Sequence, residues 1–179
     1  MKASSVNLSQ ITGGEFCGRK IESPFNSETH PMGSRERLSI MNSIGPDIAG
    51  KNVLDLFAGT GALGIEALSR GSSHVTFVEK SHKTAEIIKK NLKNLGIDDR
   101  ATVIEKDVNL ASFDGPYDIV FIDPPYDKMN DFDIESIIEK CQDVNTIVLS
   151  HKKGTDFDFQ DYSKRTKNFA GASISIFTK

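Results

Sequence analysis

The chain has 179 residues and a formal net charge of −3, and 37% of its residues are hydrophobic. These values are typical of one globular domain with a real core and room for a short appendage. No run of 18 apolar residues occurs, which excludes a membrane-spanning helix, and the N-terminus lacks the apolar core of a signal peptide. Cys17 and Cys141 match no metal-binding or redox spacing. We therefore expect a cytoplasmic protein with reduced thiols and no metal.

The charges are unevenly distributed along the chain. Residues 1–46 carry five Lys and Arg against four Glu, and residues 151–179 carry six against three Asp. The middle of the chain therefore holds all of the excess acid. This balance does not favour a nucleic-acid partner, although the two ends could assemble a basic face in space. An ordinary solvated surface would explain the same charges equally well.

The N-terminal quarter of the chain predicts a small extension. Residues 9–21 contain two short apolar stretches around Gly13 and Gly14, a pattern typical of a β-hairpin. After a loop with two prolines, Ser34 is expected to cap a helix that runs to about Ile44. The buried face of this helix is predicted to contain Leu38, Met41 and Ile44.

From residue 50 onward, strand patterns alternate with helix patterns. The predicted strands cover residues 52–57, 74–79, 101–105, 118–122, 146–150 and 172–177. The predicted helices cover residues 62–70, 81–95 and 132–140. This alternation predicts an α/β fold with a mostly parallel, doubly wound sheet and right-handed crossovers. Ligands of such sheets bind beyond the carboxyl ends of the strands, and the polar motifs of this chain fall there.

The segment between the first predicted parallel strand and its helix is a candidate ligand-binding loop. Its candidate contacts are Asp55, Phe57, Ala58, Gly59 and Gly61. Glycines let the backbone approach a ligand closely, and the N-terminus of a helix offers free N–H groups. The next two strand ends supply four further candidates, Glu79, Lys80, Asp107 and Val108. We expect Glu79 to accept both hydroxyls of a ribose, and Asp107 could reach an adenine amino group.

The same loop also matches a dinucleotide-binding pattern. Gly59, Gly61 and Gly64 satisfy G-x-G-x-x-G, with an acid about twenty residues further on. Asp55 argues against this interpretation because it would repel a pyrophosphate. S-adenosyl-L-methionine carries a sulfonium and an ammonium group and no phosphate, so Asp55 and Glu79 favour it as the cofactor.

The tetrad Asp123-Pro124-Pro125-Tyr126 follows the apolar run 119–122. Neither proline can donate a backbone N–H, so the chain must leave the sheet at this point. The Asp123 carboxylate and the Pro124 carbonyl could accept the N–H groups of an exocyclic amino group on a planar base. Tyr126 could stack on the base. The tetrad therefore indicates an amino methyltransferase, although a plain strand followed by a proline turn has the same pattern.

These motifs together resemble the bacterial 16S rRNA guanine-N2 methyltransferase family RsmD. Residues 55–71 are nearly identical to that family's first motif, and residues 78–80, 91–96 and 121–126 are similar to it in type and spacing. The resemblance extends to residues 11–21 and 30–37, and so covers nearly the whole chain. Only this N-terminal part points to the rRNA family in particular.

The resemblance implies a Rossmann-like class I methyltransferase fold. Its sheet would have seven mostly parallel strands with an antiparallel last strand, preceded by a small β-hairpin extension. Residues 1–46 would form an RNA-binding extension and residues 47–179 the methyltransferase domain. The implied cofactor is S-adenosyl-L-methionine, and the implied partner is 16S rRNA within an assembled or assembling 30S subunit. We expect a monomer with no membrane partner.

The resemblance also assigns roles to single residues. It implies catalytic roles for Asp123, Pro124 and Tyr126. It implies phosphate contacts for Arg19, Lys20, Arg35 and Arg37. The family usually has Arg-Pro-Thr where this chain has His30-Pro31-Met32, and a basic hairpin where this chain has Glu15, Phe16 and Cys17. These exchanges weaken the predicted grip on phosphate.

Three other functions are compatible with parts of the sequence. An adenine-N6 methyltransferase of DNA or RNA would need the same amino-group acceptors, but the DNA enzymes usually carry a large recognition region. A dinucleotide-dependent dehydrogenase is disfavoured by Asp55 and would not need the tetrad. A non-catalytic RNA-binding module is disfavoured because no site residue is missing.

Overall fold

The structure is a computed structural model that describes residues 7–23, 32–113, 115–141 and 143–179. Its strands are β1 (Asn7–Gln10), β2 (Lys20–Ser23), β3 (Asn52–Leu56), β4 (His74–Val78), β5 (Ala101–Ile104), β6 (Ile119–Ile122), β7 (Thr146–His151), β8 (Ser163–Asn168) and β9 (Ser173–Thr178). Its α-helices are α1 (Ser34–Ile44), α2 (Ala62–Ser69), α3 (His82–Leu95) and α4 (Ile134–Glu139).

Seven strands form the main sheet, in the order β5-β4-β3-β6-β7-β9-β8. Strands β3 to β7 are parallel to one another, and β9 is antiparallel to both β7 and β8. The predicted mostly parallel, seven-stranded sheet with an antiparallel last strand is therefore confirmed. Strand β8 has no counterpart among the predicted elements, because its sequence, Ser163–Asn168, is polar and largely exposed at the sheet edge.

The N-terminal hairpin is present but is wider than predicted. Strands β1 and β2 pair antiparallel, with Gln10 opposite Lys20. The connection covers residues 11–19, so Gly13 and Gly14 lie within a long loop rather than forming a two-residue turn. Part of the loop segment predicted after the hairpin, together with His30 and Pro31, lies outside the described residues.

Helix α3 illustrates how local sequence sets the helix boundaries. The Ser81 side chain caps its N-terminus by accepting the N–H of Thr84, and Gly96 ends it in a left-handed conformation with φ 71°. Its buried residues are Ala85, Ile88, Asn91, Leu92 and Leu95. No helix within the described ranges is long and apolar enough to cross a membrane.

Helix α1 differs from its prediction at two points. Gly33, rather than Ser34, precedes the first helical turn, and no side chain caps the helix there. The buried positions are Arg37, Ile40, Met41 and Ile44, whereas Leu38 is 40% exposed. The buried positions have the regular spacing of a helix face. The first of them is Arg37, which a search for apolar residues does not find.

Alternating residues of the central strands pack against two different layers of helices. Val53, Phe77 and Phe121 belong to a cluster that includes residues of α1, α2 and α3. Leu54 and Val120 face the opposite layer, which includes α4. Because strand side chains alternate between the two faces, Asp55 lies on the same face as Val53, below α2.

The N-terminal segment is docked on α2 by buried polar contacts. Glu66 of α2 is fully buried, and its two carboxylate oxygens accept the N–H and the hydroxyl of Thr12 at 2.9 and 2.7 Å. Arg70 pairs with the same carboxylate at 3.1 Å. The Ser69 hydroxyl donates to the Gly13 carbonyl and accepts the N–H of Phe16. The predicted extension therefore packs directly on α2 of the main domain.

We predict that Thr12→Val lowers the free energy of unfolding by about 1.5–3 kcal/mol, since a hydrogen bond to a buried carboxylate is lost. Urea denaturation followed by circular dichroism measures the difference. Thr155→Val is the matched control, because Thr155 is exposed and should change stability by no more than about 0.5 kcal/mol. Equal effects of the two substitutions would contradict the proposed importance of the Glu66 contact.

Candidate active site

Acidic residues lie side by side at the carboxyl-terminal edge of the main sheet. Leu56 of β3 lies opposite Val78 of β4 and Ile122 of β6. The residue that follows each of these two flanking strands is an acid, Glu79 after β4 and Asp123 after β6. The structure therefore brings together two of the acids that the sequence indicated.

Asp55 lies below this edge and is almost completely buried. Its exposed fraction is 2%, and its Oδ2 accepts the N–H of Gly64 at 3.0 Å. Burial raises the pKa of Asp55 well above its ordinary value, and the charges of Asp123 and Glu79 raise it further, whereas the Gly64 hydrogen bond opposes the shift. Among the ion pairs that the described residues form, none involves these three acids. A cationic ligand would therefore be stabilised at this edge.

Glu79 links two loops at this edge of the sheet. Its Oε2 accepts the N–H of Gly59 at 2.9 Å, and its Oε1 accepts the N–H of Ser81 at 2.8 Å. The N–H of Ala58 donates to the carbonyl of Val78 at 3.0 Å. Since each carboxylate oxygen has two lone pairs, Glu79 can accept further hydrogen bonds from a ligand.

The three glycines of the loop have different structural roles. Gly59 has φ 53°, and a Cβ atom there would approach only the Phe57 carbonyl oxygen, at 3.8 Å, so the adjacent space is open. Gly61, with φ 72°, is the left-handed residue before α2. A Cβ atom on Gly64 would collide with the Phe77 ring, so Gly64 allows α2 to pack closely on β4. The third position of the dinucleotide-like pattern thus has a packing explanation.

Phe57 connects the loop to the segment after the tetrad. Its φ is 60°, which is rare for a bulky residue and is found mainly where the surroundings enforce it. Its ring packs edge-to-face on Phe132, with centroids 4.6 Å apart and planes at 73°. Phe132 was expected at the start of a helix, but that helix begins at Ile134, so its contact with the loop could not be predicted.

The third strand end contributes a weaker set of candidates. Asp107 follows β5, is partly buried, and accepts the N–H of Asn109 at 3.0 Å. Val108 is 3% exposed and packs in the hydrophobic cluster on the α4 side. Lys80 is exposed beside Glu79. Of these candidates, Asp107 offers a carboxylate at the sheet edge, whereas Val108 is mainly a core residue.

The tetrad leaves the sheet directly after β6. Pro124 is buried, and Pro125 is exposed and leads into a 3₁₀ turn, Tyr126–Asp131. Among the backbone hydrogen bonds of the described loops, none ends on the Pro124 carbonyl. Burial raises the pKa of Asp123 to about 6, although hydrogen bonds with the Ser150 and Tyr126 hydroxyls oppose this rise. At pH 7 the Asp123 carboxylate is therefore mainly ionised and can accept hydrogen bonds.

Two polar residues at the end of β7 were not identified from the sequence, and one of them, Ser150, contacts the tetrad. Ser150 is 1% exposed, and its hydroxyl lies 2.6 Å from the Tyr126 hydroxyl. His151 is also buried, with Nε2 2.9 Å from the Ser175 hydroxyl. Both residues end an apolar strand, but the sequence of that strand alone does not show which neighbouring segment their side chains contact.

The predicted phosphate contacts divide into two groups. Arg19, Lys20 and Arg35 are exposed, and Arg19 also donates to the carbonyl of Asn94 at 3.0 Å. Arg37 was also predicted to hold phosphate, but this prediction is wrong. Arg37 is only 3% exposed, and its guanidinium donates to the Met32 carbonyl, the Ser9 hydroxyl and the Gln10 carbonyl. It joins α1 to β1, and these three acceptors occupy its guanidinium in place of a phosphate.

A surface cluster at α3 and β5 contains three side chains that could ligate a metal, His82, Glu86 and Glu105. The His82 ring nitrogen lies 2.9 Å from Glu105, and Lys89 lies 2.7 Å from Glu86. Hydrogen bonding with Glu105 raises the pKa of His82. These contacts are those of an exposed ion-pair cluster.

Comparisons with known proteins agree with this fold. A family model described as conserved hypothetical protein 95 matches residues 9–162. YlbH of Bacillus subtilis (strain 168), named for an inferred rRNA methyltransferase activity, is 35% identical over 178 residues, which cover 92% of this chain and 97% of that protein. Ribosomal RNA small subunit methyltransferase D of Escherichia coli (strain K12) is 36% identical over 118 residues, which cover 65% of this chain and 60% of that protein.

The solved structures lead to the same class. The structure of yhhF from Escherichia coli, described as an inferred methyltransferase, has a TM-score of 0.82 and 28% identity, and the match covers 97% of this chain and 98% of that one. The sheet order, the antiparallel β9 and these structural neighbours define a Rossmann-like class I methyltransferase. More specifically, the chain belongs to the family described as conserved hypothetical protein 95, the RsmD family of methyltransferases.

We predict that Asp123→Asn stabilises the fold at pH 7 and not at pH 4. The folded-state pKa of Asp123, about 6, lies above the ordinary value of about 3.9, so the ionised form costs stability. This cost is absent below about pH 4, grows between about pH 4 and 6, and reaches at most about 3 kcal/mol above pH 6.

Urea unfolding of both proteins at the two pH values measures this difference. Asp127→Asn is the control, because Asp127 is exposed in the same segment. A variant that is no more stable than the parent protein at pH 7 would contradict the raised pKa.

Proposed function

We propose that this protein transfers a methyl group from S-adenosyl-L-methionine to the exocyclic N2 amino group of a guanine in 16S rRNA. The observation that carries the proposal is the position of Asp123, the Pro124 carbonyl and Tyr126 beside the acidic sheet edge. The E. coli relative is named as a small-subunit rRNA methyltransferase, which supports the choice of substrate.

The acidic edge and the open loop fit the proposed cofactor. Asp55, Glu79 and Asp123 are not paired with Lys or Arg among the described residues, and this favours a ligand that carries positive charge. Gly59 leaves space for a ligand to approach the backbone. In this proposal Glu79 binds the ribose hydroxyls, Asp107 lies near the adenine, and Phe57 and Ala58 form the wall of the loop.

The bound cofactor supplies a methyl group on a positively charged sulfur, which is already electrophilic. The protein must then orient a weakly nucleophilic amino group, whose lone pair is delocalised into the base. Asp123 and the Pro124 carbonyl would each accept one amino N–H, which aims the lone pair at the methyl group. Holding reactants in such alignment can lower a barrier by roughly 7–11 kcal/mol.

Asp123 acts in this scheme as a hydrogen-bond acceptor rather than as a strong base. Its pKa of about 6 leaves it mostly ionised at pH 7, with two oxygens able to accept N–H groups. The amino nitrogen becomes far more acidic once it is methylated, so a modest carboxylate suffices to receive the proton. Tyr126 would stack on a base that has left its helix.

The RNA would be held by the N-terminal extension. Arg19, Lys20 and Arg35 are exposed there and can each contact a phosphate. Without Arg37, only a few basic contacts remain for a flexible strand. We therefore infer that the substrate is a pre-ordered part of an assembled or assembling 30S subunit and that the enzyme acts as a monomer.

A methyl-transfer assay tests the proposed function. Purified protein is incubated with tritiated S-adenosylmethionine and either unmethylated 30S subunits, naked 16S rRNA or duplex DNA, and the products are digested to nucleosides. We expect N2-methylguanosine from the ribosomal substrate and no product with Asp123→Ala. N6-methyladenosine as the product would favour the adenine alternative, and transfer to none of the substrates would overturn the proposal.

We predict that Glu79→Ala weakens S-adenosylhomocysteine binding by about 1.5–3 kcal/mol, because charge-assisted hydrogen bonds are lost. Isothermal titration calorimetry measures the change. Glu86→Ala is the control, since Glu86 is an exposed acid on α3 whose carboxylate pairs with Lys89. Unchanged affinity in Glu79→Ala, or binding of NADH in place of S-adenosylhomocysteine, would contradict the assigned cofactor.

A further inference from the structure

The end of β7 lies beside the catalytic tetrad. Leu149 of β7 is opposite Ile122 of β6 in the parallel register, so Ser150 and Asp123 are the next residues along neighbouring strands. Ser150 is 1% exposed, although it lies next to a segment that leaves the sheet. A buried hydroxyl at this place needs a hydrogen-bond partner.

The partner of Ser150 is the tetrad itself. The Ser150 hydroxyl lies 2.6 Å from the Tyr126 hydroxyl, which is a short contact for two hydroxyl groups. The parallel register places Ser150 beside Asp123, and the Ser150 and Tyr126 hydroxyls both lower the pKa of that carboxyl. Ser150, Tyr126 and Asp123 therefore form a polar triad, in which the end of β7 contacts the Tyr126 hydroxyl directly and lies beside Asp123.

We propose that Ser150 is a positioning residue for methyl transfer: its hydroxyl fixes Tyr126 and Asp123 in the orientation that the amino group of the base requires. This inference rests on the proposed function. Ser150 itself does not touch the reacting atoms in this scheme. It acts through the two residues that contact the base.

The donor count of the triad supports this role. Two hydroxyls supply two protons, so one hydroxyl can donate to the other while the second proton is donated to the carboxylate. Burial and the neighbouring Asp123 charge raise the pKa of Tyr126, which keeps its hydroxyl protonated as a donor. The remaining lone pairs of Asp123 stay available for the base. Without Ser150, the Tyr126 hydroxyl would lose its fixed partner, and the ring would lose one anchor.

Two nearby acids are electrostatically coupled to residues of the triad. Asp55 is the buried acid on β3 whose pKa the Asp123 charge raises, and Glu36 of α1 acts on Tyr126. Burial is the main factor that opposes the ionised form of Asp123. The Ser150 and Tyr126 hydroxyls favour that form. Removal of the Ser150 hydroxyl should therefore raise the pH at which Asp123 ionises.

The experiment compares Ser150→Ala, Ser150→Thr and Ser175→Ala with the parent enzyme in the methyl-transfer assay across pH 5–9. Ser175 is the matched control because its buried hydroxyl contacts His151 and Thr166 rather than the tetrad. For Ser150→Ala we expect kcat to fall about tenfold or more, since small misplacements near the chemistry are costly. We expect the acidic limb of the pH profile to move upward by about half a unit or more.

Binding of S-adenosylhomocysteine should not change in Ser150→Ala, whereas Ser150→Thr should recover most of the activity. A double-mutant cycle with Tyr126→Phe should be non-additive, because both substitutions remove the same contact. An unchanged kcat and pH profile, or losses equal to those of Ser175→Ala, would overturn the inference. Failure of the parent enzyme to methylate any ribosomal substrate would instead overturn the proposed function, so the two failures are distinguishable.

Discussion

The accumulation of negative charge at the carboxyl edge of the sheet is the constraint on which the site depends. Asp55 is buried, and the charges of Glu79 and Asp123 oppose its ionisation. Such an arrangement costs stability unless a ligand or a hydrogen bond offsets it. The Gly64 N–H offsets part of the cost at Asp55, and two hydroxyls do so at Asp123. The remaining charge is what a cationic cofactor would neutralise, so fold and ligand are electrostatically complementary in the proposed reaction.

Helix α2 links this edge to the N-terminal extension. The helix begins after Gly61 in the candidate cofactor loop, and its last turns carry Glu66 and Ser69, which bind the loop between β1 and β2. Because Glu66 is fully buried, loss of a partner would leave a charged group without compensation. The extension therefore helps to fix the helix that follows the cofactor loop. This contact gives the extension a structural role in addition to the RNA-binding role that we propose for it.

Much of the fold could be predicted because most strands of the main sheet and their helices carry regular apolar patterns. The carboxyl-edge placement of Glu79 and Asp123 followed from the parallel arrangement alone. The polar strand β8 could not be predicted, because its residues have no apolar alternation. Its strand conformation depends on pairing with β9. Arg37 was misassigned because a charged residue in a helix is usually exposed, whereas here three oxygen acceptors bury it. Ser150 was missed for a related reason: its contact joins the end of a strand to a turn that only the sheet register brings near it.

The same acidic edge explains how a chain with a net charge of −3 could act on RNA. Carboxylates at the sheet edge repel phosphates, so a nucleic acid backbone cannot lie across the site. A neutral base carries no such penalty, and in the proposed reaction it enters alone, with its amino group directed at Asp123 and the Pro124 carbonyl. The backbone must then be held elsewhere, and the exposed Arg19, Lys20 and Arg35 lie on the extension rather than at the edge. In the proposed reaction, electrostatics therefore favours separate binding of phosphate and base, with the target base turned out of its helix.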